Sequence, residues 1–135
     1  FRYDIKKIVE TLKKVHGPGS VVSYFGDTTD EERQEAIKSF QHGEARFFVG
    51  NPQTAGYGLT LTAANNVIYY ANDYNLETRM QSEDRCHRIG QESRVLYVDL
   101  VTPGTVDINI AKALRQKINL AGATLGEEVK KWLQV

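Results

Sequence analysis

Cysteine is almost missing from this chain: Cys86 is the one thiol among 135 residues. A single thiol excludes an internal disulfide and fits a reducing compartment. Net charge is missing as well, since 17 Lys and Arg balance 17 Asp and Glu. That balance argues against a protein that holds nucleic acid chiefly through bulk electrostatics, and leaves room for one that touches a few phosphates through backbone N–H groups. No apolar run approaches the ~18 residues that span a bilayer. No charged-then-apolar leader opens the chain, so an intracellular protein without membrane contact is expected. His16, His42 and His87 do not stand at metal-ligand spacing from Cys86, and no metal site is expected. Two further features are absent: a G-x-x-x-x-G-K-[ST] loop, and an Asp-Glu pair following a strand. Internal repeats and low-complexity segments are absent too.

What is present suits one domain with a small core, 41% of the residues being hydrophobic. Ile5, Ile8, Val9, Leu12 and Val15 recur at helical spacing, and Gly17-Pro18 stops that helix. Val21 to Phe25 reads as a strand ending at Gly26. Thr29 opens a second helix, with Glu32 completing a capping box and Ala36, Ile37 and Phe40 as its buried stripe. Phe47 to Val49 is a short apolar run, followed by a loop of small residues from Asn51 to Thr60. Val67 to Tyr70 is a third strand, Leu76 to Arg88 a polar helix, and Val95 to Val101 the longest β-branched run. Thr105 caps a long helix with Val106, Ile110, Leu114 and Ile118 every four residues. After Gly122 and Gly126 a last short helix carries Val129, Trp132 and Leu133, with Trp132 read as a packing anchor.

Strands alternating with helices predict crossovers and a parallel sheet covered on both faces, the α/β class. The expected division is a lobe over residues 1–121 and a helical extension over 122–135. An α/β lobe ordinarily opens with a strand, so Phe1 reads as the stub of one lost upstream, and the chain as a piece of a longer polypeptide.

Chemistry concentrates between Gln81 and Gln91. On a helix Arg85 and Arg88 share a face, with Gln81 four residues before Arg85. Two guanidinium groups there can grip the oxygens of a γ-phosphate, where charge grows during transfer. The same spacing also suits a plain surface helix with Glu–Arg pairs, and on spacing alone both readings stand. Gly56 and Gly58 let the backbone approach a ligand, or simply make a turn. Thr28, Thr29 and Arg33 suit a phosphate cradle at a helix start, or plain capping; one residue can do both. Cys86 is read as a small packed side chain, and Asp99 as the mark of a strand end.

Asp84-Arg85-x-His87-Arg88-Ile89-Gly90-Gln91 resembles the last conserved motif of the SWI/SNF-type ATPases, a branch of the superfamily-two helicases. The likeness runs from Phe1 to about Ile118. Phe25-Gly26-Asp27-Thr28-Thr29 with Glu32-Arg33 and Phe40 resembles that family's glycine-then-helix motif. Thr54-Ala55-Gly56-x-Gly58-Leu59-x-Leu61-Thr62-Ala63-Ala64 resembles its glycine-loop motif. Val67-Ile68, Asp73-Tyr74-Asn75 and Thr105-Val106-Asp107 follow in the family's order.

The resemblance implies a three-layer RecA-like lobe, the second of two that flank one ATP and grip one DNA duplex. Arg88, then Arg85, would be the arginine fingers, with Gln81 ordering the same site. Gly56 and Gly58 would meet the nucleotide; Gly26, Thr28, Thr29, Arg33 and Thr54 would meet DNA. ATP and Mg2+ would be held mainly by an N-terminal lobe of the same polypeptide, leaving this chain alone monomeric and inactive. The sequence departs from the family at Tyr57, Thr60, Ala71, Tyr74 and Leu76, which suggests a bacterial or viral member, and then a cytoplasmic one. Three alternatives stand beside this reading: an RNA-helicase lobe, a lobe that only docks DNA or a partner, and a Rossmann domain using Gly56 and Gly58. The last fits least, because those glycines come late in the chain.

Overall fold

Helix α1, Arg2–His16, turns its apolar stripe inward through Ile5, which is buried, and half-buried Ile8, Val9 and Leu12. Val15, expected on that stripe, is 68% exposed. The helix ends one residue later, where Gly17 takes φ +98° and donates its N–H back to the Lys13 carbonyl at 2.8 Å. Glycine reaches that backbone region without the Cβ penalty other residues meet. In this computed structural model residues 2–53, 59–72 and 75–125 are described.

Past a short 3-10 turn, Pro18–Ser20, strand β1 spans Val21–Tyr24. Helix α2, Asp30–Gln41, starts as its capping box predicts: the Glu32 N–H donates to Thr29 Oγ1 at 3.2 Å, and the Thr29 N–H donates to Glu32 Oε2 at 2.9 Å. Its buried side carries Ala36 and Phe40. Strand β2, Phe47–Gly50, returns parallel to β1, pairing Val21 with Phe47 and Tyr24 with Gly50. A parallel pair needs a crossover, and α2 provides it.

The second half repeats the plan. Strand β3, Asn66–Tyr69, pairs parallel with β4, Leu96–Asp99, with helix α3, Leu76–Asp84, between them in the chain. Helix α4, Val106–Leu125, follows β4 and packs on α3. Thr105 Oγ1 accepts the Asp107 N–H at 3.3 Å, the capping role expected of it. Leu114 is buried, whereas Val106, expected on the same stripe, is exposed. The predicted last helix with Val129, Trp132 and Leu133 lies outside the described residues.

Among the described residues the strands form two parallel pairs with no ladder between them. One apolar cluster serves both: Tyr24 and Phe40 from the first half meet Leu59, Leu61, Cys86 and Val95, with Phe48, Val67 and Tyr97 packed around them. Phe48 lies edge-on to Phe40 at 5.6 Å between ring centroids. Among the described residues the β3–β4 pair turns Val67, Tyr69 and Tyr97 inward and leaves Ile68, Leu96 and Val98 exposed. No helix among the described residues is long and apolar enough to cross a membrane.

Candidate arginine site

The site is built on the end of α3 and the turn after it. Asn75 caps this helix by accepting the Thr78 N–H at 3.0 Å. The helix was expected to continue to Arg88, but it ends at Asp84. Beyond that end the carbonyls turn to partners outside the helix: the Arg85 carbonyl accepts from the Leu61 N–H at 2.8 Å, and the Cys86 carbonyl from Gln91 Nε2 at 2.9 Å. Gly90, at φ +101°, then closes the turn. Arg85 and Arg88 therefore do not share a helical face, contrary to the expectation from their spacing. Arg85 is the C-cap residue, and Arg88 stands beyond the helix in a bend.

Both arginines nevertheless stay at the surface. Half-buried Arg85 donates Nε to the Gln81 carbonyl at 3.1 Å, and exposed Arg88 donates Nη1 to the Leu59 carbonyl at 2.8 Å and to Thr60 Oγ1 at 3.3 Å. Among the described residues the remaining guanidinium N–H groups of the two side chains meet no acceptor, so each keeps donors that an anion can use. Gln81 is exposed and its amide turns to Glu77 Oε1 at 3.2 Å.

A third arginine, which no motif of the sequence singles out, anchors the same helix. Arg79, 6% exposed, lies 3.6 Å from the centre of the Tyr69 ring and donates Nε to Glu83 Oε1 at 2.7 Å. Its other nitrogens reach Asn72 Oδ1 at 2.9 Å and both carboxylate oxygens of Asp99. The Arg79–Glu83 spacing was a readable signal. Asp99 was not, because only the β3–β4 pairing brings it there. Burial acts to raise the Asp99 carboxyl pKa, but the Arg79 hydrogen bond and charge, aided by Asn72, outweigh it and hold Asp99 below the usual carboxylate range. Burial wins at Glu83 and pushes its carboxyl up. Burial likewise raises the Cys86 thiol to about 11.

The other predicted contacts lie at the start of α2. Thr28 Oγ1 accepts the Phe25 N–H at 3.2 Å, and Thr29 is engaged in the capping box. Asp30, Glu31 and Glu32 fill the first turn and already complement the positive end of the helix dipole. Arg33 stacks over the Tyr24 ring at 5.1 Å and reaches the Phe25 and Gly26 carbonyls at 3.4 and 3.5 Å, while its buried Nε finds no partner. Thr54, Gly56 and Gly58 lie outside the described residues. No group of three or more His, Cys, Asp or Glu side chains among the described residues is placed to hold a metal ion.

Residues 2–90 match the helicase conserved C-terminal domain family. Similar proteins include a Caenorhabditis elegans homolog of the SWI/SNF-related regulator of chromatin containing DEAD/H box 1, 38% identical over 70% of this chain and 10% of that protein. Helicase domino of Drosophila melanogaster is 39% identical over 68% of this chain and 3% of its own length. Human lymphoid-specific helicase is 38% identical over 70% of this chain and 12% of its own length. The chain thus spans between 3% and 12% of the length of these relatives. Among solved structures, the C-terminal part of the Fun30 ATPase domain superposes with a TM-score of 0.75 at 25% identity, over 84% of this chain and 37% of that one. These relatives are eukaryotic and lend no support to the bacterial or viral affiliation suggested by the departures at Tyr57, Thr60, Ala71, Tyr74 and Leu76.

Proposed function

Because this chain belongs to the helicase conserved C-terminal domain family, with SWI/SNF-type relatives, we propose that it is the second lobe of an ATP-dependent translocase on duplex DNA and lends arginines to a nucleotide held by a first lobe. The observation that carries this reading is the contrast among the three arginines of α3 and the turn that follows it. Arg79 is locked inside, while Arg85 and Arg88 stand at the surface with N–H donors to spare. Such donors fit a nucleotide's phosphates, because a planar guanidinium pairs well with phosphoryl oxygens.

ATP with Mg2+ supplies the phosphoryl group to be transferred to water. Arg88, with Arg85 beside it, donates N–H groups to the phosphoryl oxygens as negative charge gathers on them, and Gln81 orders the same edge. The phosphate loop and magnesium acids are assigned to the first lobe, since neither motif occurs here. Gly56 and Gly58 are proposed to meet the nucleotide, and Gly26, Thr28, Thr29, Arg33 and Thr54 to meet the DNA backbone. The lobe is proposed to span residues 1–121, with 122–135 as an extension entered through the last turn of α4, in an intracellular protein.

The test is turnover by the chain alone and joined to its first lobe. The isolated chain should hydrolyse ATP negligibly; the two-lobe protein should turn over, and duplex DNA should stimulate it more than RNA does. Turnover by the pure isolated chain would refute the divided site, and stimulation by RNA alone would move the proposal to an RNA helicase.

A further inference from the structure

Arg88 reaches the surface from a turn with no helix beneath it, so something else must hold it in place. The hydrogen bonds around Gln91 identify what does. Its side-chain nitrogen donates to two carbonyls, Ala64 at 2.8 Å and Cys86 at 2.9 Å. Its side-chain oxygen accepts the Ser93 N–H at 3.0 Å, and its backbone N–H donates to the Arg88 carbonyl at 3.0 Å. A primary amide carries two N–H hydrogens and one oxygen, and here all three are engaged. The amide's orientation follows from chemistry, because a carbonyl only accepts and a backbone N–H only donates.

These bonds belong to a larger stitch. The loop 59–64 is tied to the turn 85–91 at three places: Arg88 Nη1 to the Leu59 carbonyl, the Leu61 N–H to the Arg85 carbonyl, and Gln91 to the Ala64 carbonyl. Leu59 and Leu61 are themselves buried in the core cluster. The loop is therefore a fixed base, and the turn is tied to it at its first residue, its middle and its last. The middle tie is Arg88 itself, which must be free to yield when the guanidinium takes a phosphate. The first is the Arg85 carbonyl, and the last is Gln91, half-buried and fully bonded.

We infer that Gln91 is a positioning residue for Arg88: its side-chain amide fastens the arginine-bearing turn to the loop 59–64 and to the end of α3, so that Arg88 is presented in one place. The inference rests on the arginine reading proposed above and adds a residue that touches no substrate. A misplaced finger weakens charge stabilisation during transfer more than it weakens nucleotide binding, so the loss belongs in kcat rather than KM.

The experiment is steady-state ATP hydrolysis by the two-lobe protein carrying Gln91→Glu, Gln91→Met or Gln91→Lys, with Arg88→Ala and Ser20→Ala alongside and thermal melting of each. Gln91→Glu points a carboxylate at two carbonyls, and Gln91→Met keeps the shape without donors; each should lower kcat about a hundredfold with KM for ATP changed less than about threefold. Gln91→Lys restores N–H donors and should recover most of the loss. Ser20→Ala removes a hydrogen bond to the Gly17 carbonyl, away from the site, and should lower the melting temperature without lowering kcat. The inference is overturned if Gln91→Glu and Gln91→Met keep kcat within about twofold of wild type while Arg88→Ala is inactive, or if Ser20→Ala loses as much kcat as they do. If Arg88→Ala turns over normally, it is the arginine-finger reading itself that fails.

Discussion

Arg79 and Arg88 carry the same guanidinium into opposite surroundings, and the difference decides what each can do. Arg79 faces two carboxylates and an aromatic ring inside the fold. Removing it strands Asp99 and Glu83 without their cation, and Arg79→Ala should cost about 3–5 kcal/mol of unfolding free energy, read from a denaturant midpoint. Because the Asp99 carboxyl is held below its ordinary value, it adds stability that is fully present above about pH 4 and disappears as pH falls through the lowered folded value. Glu83 shifts the other way, so a comparison of wild type with Asp99→Asn isolates the Asp99 share: the wild type's advantage should shrink on acidification below about pH 4, and an advantage constant from pH 7 to 2 would contradict the pairing. Cys86, 4% exposed and with its thiol pushed up to about 11, should resist alkylation at neutral pH in the folded chain and react at the rate of a free thiol once denaturant unfolds it.

At the scale of the element, what could be read in advance was what neighbouring residues determine. The start of α2 depends on Thr29 and Glu32 alone, and the capping box formed as the spacing indicated. Thr29→Ala should therefore cost about 1 kcal/mol, measured by thermal or denaturant unfolding. The end of α1 was legible for the same reason, in Gly17 and Pro18. The end of α3 was not legible. Past Asp84 the Arg85 and Cys86 carbonyls accept from Leu61 and Gln91, partners that no local period of the helix predicts. Val15 and Val106 show a related limit: helical spacing places them on apolar stripes, but each sits at a helix end where the core no longer reaches. Asp99 does end β4, as expected, but its second role as a partner of Arg79 shows only once β3 pairs with β4.

Across the whole molecule, two parallel pairs share one apolar cluster, and the turn from Arg85 to Gln91 is fastened to the loop that supplies that cluster with Leu59 and Leu61. The α/β class was legible in the sequence, because strands alternate with helices along the chain, and residues 2–90 match the helicase family that the motifs resemble. Which arginine faces inward was not, since that depends on long-range partners. In the proposed division of labour this lobe brings positive side chains to phosphates held by another. Its most direct test is the turnover number of the two-lobe protein bearing Arg88→Ala. The account predicts a fall of roughly three to five orders of magnitude, with ATP affinity and melting temperature little changed. Wild-type turnover in that variant would contradict it.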